Sequence, residues 1–234
     1  MMAERLRLED VQWDSQGKGI IWLEKSSGFG HLRYAKTNLN SQIFSGNLDV
    51  HSQVGYGGGE FTVSKKFLIF TAKDGRLYCR DWAHDKIFSI TPAWGNVASP
   101  AIHPSGDWVA FVFSDGETDL IGIADSHGIT WPRQLMRGAD FYMQPAWHPN
   151  GRRIAWVEWN HPYLPWQASR VKTGEVSGMQ LHLVSEDWVA GDEKQPASQP
   201  QFSPDGTWLS YIQSDGEWDK LVALKLKTGD KKTQ

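Results

Sequence analysis

Apolar and polar residues alternate with a short period along most of the chain, and the clearest example is Gln199 to Lys227. There Phe202, predicted to open a short strand, is followed by the turn Ser203-Pro204-Asp205-Gly206. An alternating run then extends from Thr207 to Ile212, and after a second Asp-Gly turn a third strand is predicted over Lys220 to Leu226. Proline presets φ for a turn, Asp-Gly supplies positive φ, and period-two alternation is typical of half-buried strands. The stretch therefore predicts consecutive antiparallel hairpins.

The same unit recurs upstream. Aligned on Phe202, the other copies begin at Trp13, Phe61, Ile102 and Trp147, so the anchors lie 48, 41, 45 and 55 residues apart. A repeat of roughly 40 to 50 residues with several short strands is the signature of a β-propeller blade. The sequence predicts an all-β fold, a β-propeller of about five antiparallel blades or an incomplete part of a larger propeller. A β-sandwich is the alternative, but it gives no reason for the same turn at the same offset.

The repeat places the blades at roughly residues 9–36, 56–93, 97–135, 142–185 and 198–228, in a single propeller domain or fragment over residues 1–234. No helix longer than about two turns is expected. Four of the 13 tryptophans lie near the second strands of their blades and are predicted to fill the space between adjacent sheets: Trp22, Trp108, Trp156 and Trp208.

The composition of the chain argues against some classes of function. Charged residues make up 22% of the chain and the net charge is -3, so no basic field is available for nucleic acid. The single cysteine, Cys79, favours a reducing compartment and is expected to be a half-buried strand residue. No apolar leader and no long apolar window is present, so we expect no membrane span and a cytoplasmic protein.

The motifs of common active sites are absent. The sequence contains no G-x-S-x-G, H-E-x-x-H, C-x-x-C or EF-hand pattern, so we expect no catalytic residue, cofactor or metal in this chain. The glycines of Gly55–Gly59 do not have phosphate-loop spacing and are expected to allow close backbone approach or an unusual φ. His103 and His148 occupy the same offset before a proline, which favours turn residues over metal ligands.

Blade four carries an insert, Trp159 to Lys172, where two other blades have a short Ser-Asp-Gly turn. Two prolines, three aromatic residues and a histidine make it a stiff, partly apolar projection. Exposed apolar loops usually contact something, so the insert either contacts another domain or a ligand, or folds back on its own blade.

Several of these segments together resemble a known family. The order GYGGGEFTV, LYCRDW, a His-Pro turn, AWVEWNHPYLPWQ and QPQFSPDGTWLSYI is similar to the N-terminal propeller of the prolyl oligopeptidase family, in its acylaminoacyl-peptidase and dipeptidyl-aminopeptidase-like branch. In that family the propeller lies over a serine-hydrolase domain. The resemblance implies a non-catalytic propeller that caps an active site and gates the access of short peptides. Its implied partners are an α/β-hydrolase domain, absent from this chain, and short peptides.

The resemblance also suggests where contacts would be made. His161, Pro162, Pro165 and Trp166 match the family's loop, and Tyr56 matches its glycine-rich stretch. We therefore expect Tyr56, His161, Tyr163 and Trp166 to be possible substrate or domain contacts.

This sequence also departs from the family's pattern. Val54-Gly55 stands where the family commonly has His-Glu, so a role of that acidic group toward a substrate amine is not carried over. Two alternatives remain, a stand-alone propeller for binding or scaffolding, and a Tol-like propeller, which shares the SPDG repeats.

Overall fold

The computed structural model describes residues 6–36, 40–56 and 59–234, and it is a β-propeller of five four-stranded antiparallel sheets. The predicted fold class is confirmed. The helix found in the described residues is a single turn, α1 (Pro165–Ala168), in the insert of blade four.

Each blade is formed by four strands that follow one another in the chain, from the channel outwards. Blades one to three contain β1 (Arg7–Trp13), β2 (Gly19–Ser26), β3 (Phe29–Lys36), β4 (Gln42–Ile43), β5 (Phe61–Val63), β6 (Phe67–Thr71), β7 (Leu77–Asp81), β8 (Lys86–Ser89), β9 (Asn96–Ile102), β10 (Trp108–Ser114), β11 (Asp119–Asp125) and β12 (Arg133–Met136). Blades four and five contain β13 (Phe141–Trp147), β14 (Arg153–Trp159), β15 (Arg170–Ser177), β16 (His182–Ala190), β17 (Ala197–Phe202), β18 (Trp208–Ser214), β19 (Asp219–Lys225) and β20 (Lys231–Thr233).

The recurring turn joins the first strand of a blade to the second, which corrects the predicted role of the apolar anchor. Phe202 ends β17 instead of opening a strand, and it pairs with Leu209 across the turn. Trp13, Ile102 and Trp147 also end their strands. Alternation indicates that a segment is a strand, but it does not show whether the strand lies before or after a turn. Phe202 was therefore predicted to open a strand, whereas it ends one.

The anchor assigned to blade two was also wrong. Phe61 begins β5, and the residue equivalent to the other anchors is Val63, which pairs with Leu68. The Ser64 amide donates to the Phe67 carbonyl across a turn shorter than those of the other blades, as the backbone bond from His103 to Trp108 shows. The turn of blade two, Ser64 to Lys66, contains no glycine because it is shorter, and the shorter turn moved the alignment by two residues.

Interior blades differ from end blades in their hydrophobic pattern. In β10 of blade three, Val109 and Phe111 pack towards blade two, whereas Ala110 and Val112 pack towards blade four. The strand is therefore a continuous apolar run. In β18 of blade five, by contrast, buried and partly exposed residues alternate. A blade with one covered face alternates and a blade with two covered faces does not.

The outward faces of the two end blades remain uncovered. On blade one Leu8 is 68% exposed, Val11 62% and Trp13 67%, and on blade five Leu221 is 47% exposed. All four belong to the faces that point away from the neighbouring blade.

The predicted position between adjacent sheets is confirmed for Trp156 and wrong for Trp22 and Trp208. Trp156 is fully buried and fills the space between blades three and four with Ala98 and Ile121, as predicted. Trp22 and Trp208 instead lie on the outward faces of the end blades, because their strand neighbours take the covered face. Cys79 is completely buried, not half-buried, and burial raises the pKa of its thiol to about 12.

Two histidines in the recurring turns connect consecutive blades. The imidazole Nε2 of His103 donates to the carbonyl of Gly151 in the next blade at 2.9 Å, and Nδ1 accepts the backbone amide of Ser105 at 3.1 Å. Because a carbonyl can only accept, the Nε2–H tautomer is fixed. The ring also meets the edge of Trp147, with centroids 4.8 Å apart.

The same contact is repeated one blade further on. His148 donates through Nε2 to the carbonyl of Gly206 at 2.9 Å and lies 5.0 Å from the ring of Phe202. Each histidine therefore contacts both the turn glycine and the aromatic anchor of the following blade. The interpretation of both residues as turn residues fits these contacts.

Replacing His103 tests this link. We expect His103→Ala to lower the free energy of unfolding by about 1–2 kcal/mol, because the bond to Gly151 and the packing against Trp147 are both lost. Urea unfolding at pH 7.5 measures the change. His182→Ala is the matched control, since that imidazole is exposed.

The link should also depend on pH. Burial, opposed by the bond to Gly151, lowers the pKa of His103 below its ordinary value. The unfolded chain therefore takes up the proton first, and this stabilisation is present above about pH 6.5 and lost as the pH falls through the lowered pKa of the folded state. Parallel loss of stability in the parent protein and in His103→Ala on acidification would contradict the assignment.

Candidate functional site

The candidate contact residues lie at one end of the propeller. Strands alternate in direction, so the loops between second and third strands and the connections between blades meet at the same end of the channel. The insert of blade four, residues 160–169, and the connection that carries Tyr56 both belong to this end. Gly57 and Gly58 of the glycine-rich stretch lie outside the described residues, and Gly59 has a φ of 75°.

An aromatic cluster connects these two segments, and we define it as Tyr56, Phe141, Trp159 and Trp166. The Tyr56 ring meets the edges of Trp159 and Trp166, with centroids 5.8 Å and 5.9 Å apart, and Phe141 stacks on Trp159 at 5.2 Å. Trp159 is 1% exposed, whereas Trp166 is 64% and Tyr56 41% exposed. The cluster therefore has a buried base and an exposed apolar rim.

The base of the insert is tied to the connection between blades three and four. The Asp140 amide donates to Asn160 Oδ1, and the Asp140 carboxylate accepts the His161 amide, both at 2.9 Å. The Tyr163 amide donates to the Asn160 carbonyl at 3.1 Å. Three hydrogen bonds thus hold the first residues of the insert, and the bond between His161 and Pro162 is cis.

The second half of the insert forms the helical turn α1. The Gln167 side chain accepts the Leu164 amide at 2.9 Å, and Pro165 stands at the start of the turn, where a missing amide hydrogen has no cost. Pro165 and Ala168 are buried, so Trp166 between them projects outwards. The insert is therefore partly anchored in its blade and partly exposed.

The four predicted contact residues are placed differently. Tyr56 and Trp166 touch each other, whereas Tyr163 and His161 make their contacts elsewhere on the insert. A hydrogen bond to Glu193, in the connection to blade five, raises the pKa of the exposed Tyr163 phenol. The His161 imidazole is exposed and has no hydrogen-bond partner within residues 6–36, 40–56 and 59–234.

The channel beside this rim is polar and has a volume of about 510 Å³. In four blades the innermost strand has a bulge at a non-glycine residue with positive φ: Asp10, Ser99, Gln144 and Gln199. These residues line the channel, and the last three precede a buried proline. The Gln144 side chain accepts the Gln199 amide at 2.8 Å, so two of the bulges are joined directly.

Carboxylates outnumber cations where blades one and two meet the channel. Lys25 pairs with both Glu9, at 2.8 Å, and Glu60, at 3.1 Å. Desolvation and then the nearby Glu60 carboxylate raise the pKa of Asp10. Glu9 also pairs with Arg7 at 3.6 Å, so three carboxylates face two cations here.

Chemically, the site provides a partly exposed aromatic surface for contact. Within the described ranges, no three histidine, cysteine or acidic side chains are placed to hold a metal ion. No helix in the part of the chain that the structure describes has the length and apolar character required to cross a bilayer.

Sequence reasoning missed four residues of the site, among them Phe141, which stacks on Trp159. Trp159 was noted only as the start of the insert, but it forms the buried base of the aromatic cluster. Asp140 and Glu193 lie in connections between blades and fix the insert from outside its own hairpin. The run Ile154–Val157, which is apolar throughout and separated from Trp159 only by Glu158, was a usable signal for a strand buried on both faces, whereas nothing local pointed to the two acidic residues.

Comparison with known proteins finds similarity at the level of structure. No protein-family model matches the chain, and no curated protein matches it either. A puromycin-hydrolysing peptidase from Mycobacterium tuberculosis has a TM-score of 0.81 and 23% identity over 98% of this chain and 39% of its own. A prolyl endopeptidase follows with a TM-score of 0.69 and 10% identity, over 99% of this chain and 35% of its own.

A third neighbour belongs to another class. TolB from Acinetobacter baumannii has a TM-score of 0.65 and 16% identity, over 96% of this chain and 54% of its own. At these identities the comparisons define the fold, a β-propeller of the kind found in peptidases and in TolB. The chain spans about two fifths of the length of the peptidases.

Removing the anchor of the insert should loosen it. We expect Asp140→Ala to speed hydrogen exchange at the His161 and Tyr163 amides several-fold, because the carboxylate that accepts the His161 amide is lost. Mass-spectrometric exchange on the peptide that contains the insert measures this. Asp187→Ala, at an exposed position of β16, is the control. Unchanged exchange in Asp140→Ala would mean that packing alone holds the insert.

Proposed function

We propose that this chain is the non-catalytic propeller of a serine peptidase of the prolyl oligopeptidase type. In this role it caps the active site of an α/β-hydrolase domain and restricts access to short peptides. The observation that carries the proposal is the exposed rim of the aromatic cluster, at the end of the propeller where the connecting loops meet.

The geometry of the rim supports a docking role. An exposed tryptophan costs free energy in water, and covering apolar area recovers about 25 cal/mol per Å². The hydrogen bonds of Asp140 and Gln167 hold the backbone on either side of the exposed residues, so little conformational entropy is lost when a partner covers them. A rigid apolar rim beside a polar channel suits a domain that surrounds a small substrate.

The similarity to peptidases supports the same assignment. It extends over nearly this whole chain but under two fifths of the peptidase chains, as expected for one domain of a larger enzyme. The uncovered faces of blades one and five are expected if the five sheets are part of a larger propeller. The sequence offers no serine nucleophile elbow, so the hydrolytic residues would come from the hydrolase domain.

A Tol-like propeller is the second candidate, supported by the similarity to TolB. Its TM-score of 0.65 is below the 0.81 of the puromycin-hydrolysing peptidase. The two candidates differ in one testable respect, because a Tol-like or stand-alone propeller has no serine hydrolase associated with it.

Labelling with a fluorophosphonate probe tests the proposal. The native polypeptide that carries this sequence, captured with an antibody against blade five, is expected to contain or bind a serine hydrolase that the probe labels. The isolated 234-residue chain is expected to remain unlabelled and to cleave no peptide. Absence of labelling in the native polypeptide and in anything bound to it would overturn the proposal.

Gating is tested in the labelled enzyme by Trp166→Ala. Truncating the rim should raise cleavage of long peptides relative to short ones by several-fold, because the indole no longer narrows the entrance. Trp131→Ala is the control, since Trp131 is 74% exposed but lies in blade three, away from the insert. If the parent enzyme and Trp166→Ala cleave long and short peptides in the same ratio, the proposed gating role of the rim is wrong.

A further inference from the structure

A large groove lies at the end of the propeller opposite the insert, beneath blades four and five. Its volume is about 1050 Å³, comparable to the larger small-molecule sites of proteins. One wall is the hairpin of β15 and β16, and β16, with 9 residues, is longer than the outermost strand of any other blade. The other wall is formed by the turns of blade five around Gly206 and Lys227.

Cationic side chains outnumber carboxylates in the groove. It is lined by Arg152, Arg153 and Lys227 and by a single carboxylate, Glu175. Arg153 is paired with Glu175 at 2.9 Å. Arg152 and Lys227 come from different blades, and neither has an acidic partner within the described residues. Their charges are therefore available to a ligand, on a chain whose net charge is -3.

Apolar side chains complete the walls. Val176 and Leu181 extend from the core of blades three and four, and Leu226 faces them from blade five. Val184 of β16 lines the hairpin wall and is 65% exposed. The groove thus combines two unpaired cations with an apolar surface that water covers.

The two turn histidines shape this groove without serving as its ligands. His103 and His148 both line it, but their Nε2 atoms donate to Gly151 and Gly206. Their Nδ1 atoms accept backbone amides. The links between blades therefore hold the position of the groove, and the free cations are left to bind.

We propose that this groove binds an organic anion, with a carboxylate or phosphate group between Arg152 and Lys227 and an apolar body against Leu181, Val184 and Leu226. Arginine suits such groups because its planar guanidinium donates two parallel hydrogen bonds, and lysine adds a point charge. The site is independent of the proposed peptidase role, since it lies at the other end of the channel.

Amide NMR of the 234-residue chain tests the proposal with defined probes. Titration with hexanoate and with phenyl phosphate should shift the amides of Gly151, Gly178 and Gly206, which line the groove. Hexanamide, which has the same chain without the charge, should produce no comparable shift. Inorganic phosphate should bind more weakly than phenyl phosphate. The relative strength of the carboxylate and the phosphate ester identifies the preferred anionic group.

Two substitutions locate the site. Arg152→Gln and Lys227→Gln should each weaken binding by roughly five- to tenfold, and the double variant should abolish it. Arg137→Gln and Lys231→Gln are matched controls at exposed positions outside the groove and should leave binding unchanged. Circular dichroism checks that every variant is folded.

Several results would overturn the proposal. These are no shift with either organic anion, equal binding of hexanamide, equal binding of inorganic phosphate, or equal losses in the control variants. None of them bears on the proposed peptidase role, which is decided by fluorophosphonate labelling of an associated serine hydrolase.

Discussion

The contact between a turn histidine and the next blade is the interaction on which the arrangement of blades three to five depends. Blades pack face to face through apolar side chains, and apolar packing alone allows one blade to slide or tilt against its neighbour. The bond from His103 Nε2 to the Gly151 carbonyl, and its repeat from His148 to Gly206, fix that relationship at one end of the sheets. The edge-on contacts of the imidazoles with Trp147 and Phe202 favour one angle between each blade and the next.

The geometry of both candidate sites depends on this arrangement of the blades. The connection between blades three and four must be correctly placed for Asp140 to reach the insert. At the other end, Arg152 and Lys227 face the same groove only because blades four and five are held in register. A change in blade orientation would therefore change the geometry of the sites at both ends of the channel.

Much of the fold could be predicted from the sequence because turns and alternation are local properties. The Asp-Gly and Pro turns revealed five repeats, and these became five sheets. The errors also have local causes. Phe61 was aligned two residues early because blade two has a shorter turn, and the anchors were placed at strand starts because alternation has no direction.

The candidate site was harder to predict because its contacts are not local. Tyr56 and Trp166 were each suggested by a family-like motif, but two complete blades separate them in the chain. Their contact follows from the ring-like order of the blades and not from either segment. Asp140 and Glu193 act through connections whose sequences resemble ordinary loops, so no pattern identified them.

A double-mutant cycle between His148 and Phe202 tests the blade-to-blade contact most directly. His148→Ala, Phe202→Leu and the double variant would be compared by urea unfolding at pH 7.5. If the imidazole and the ring position each other, the cycle gives a coupling free energy of about 1 kcal/mol, well above the scatter for independent sites. Additive losses in the double variant would contradict the account, because the imidazole and the Phe202 ring would then not position each other.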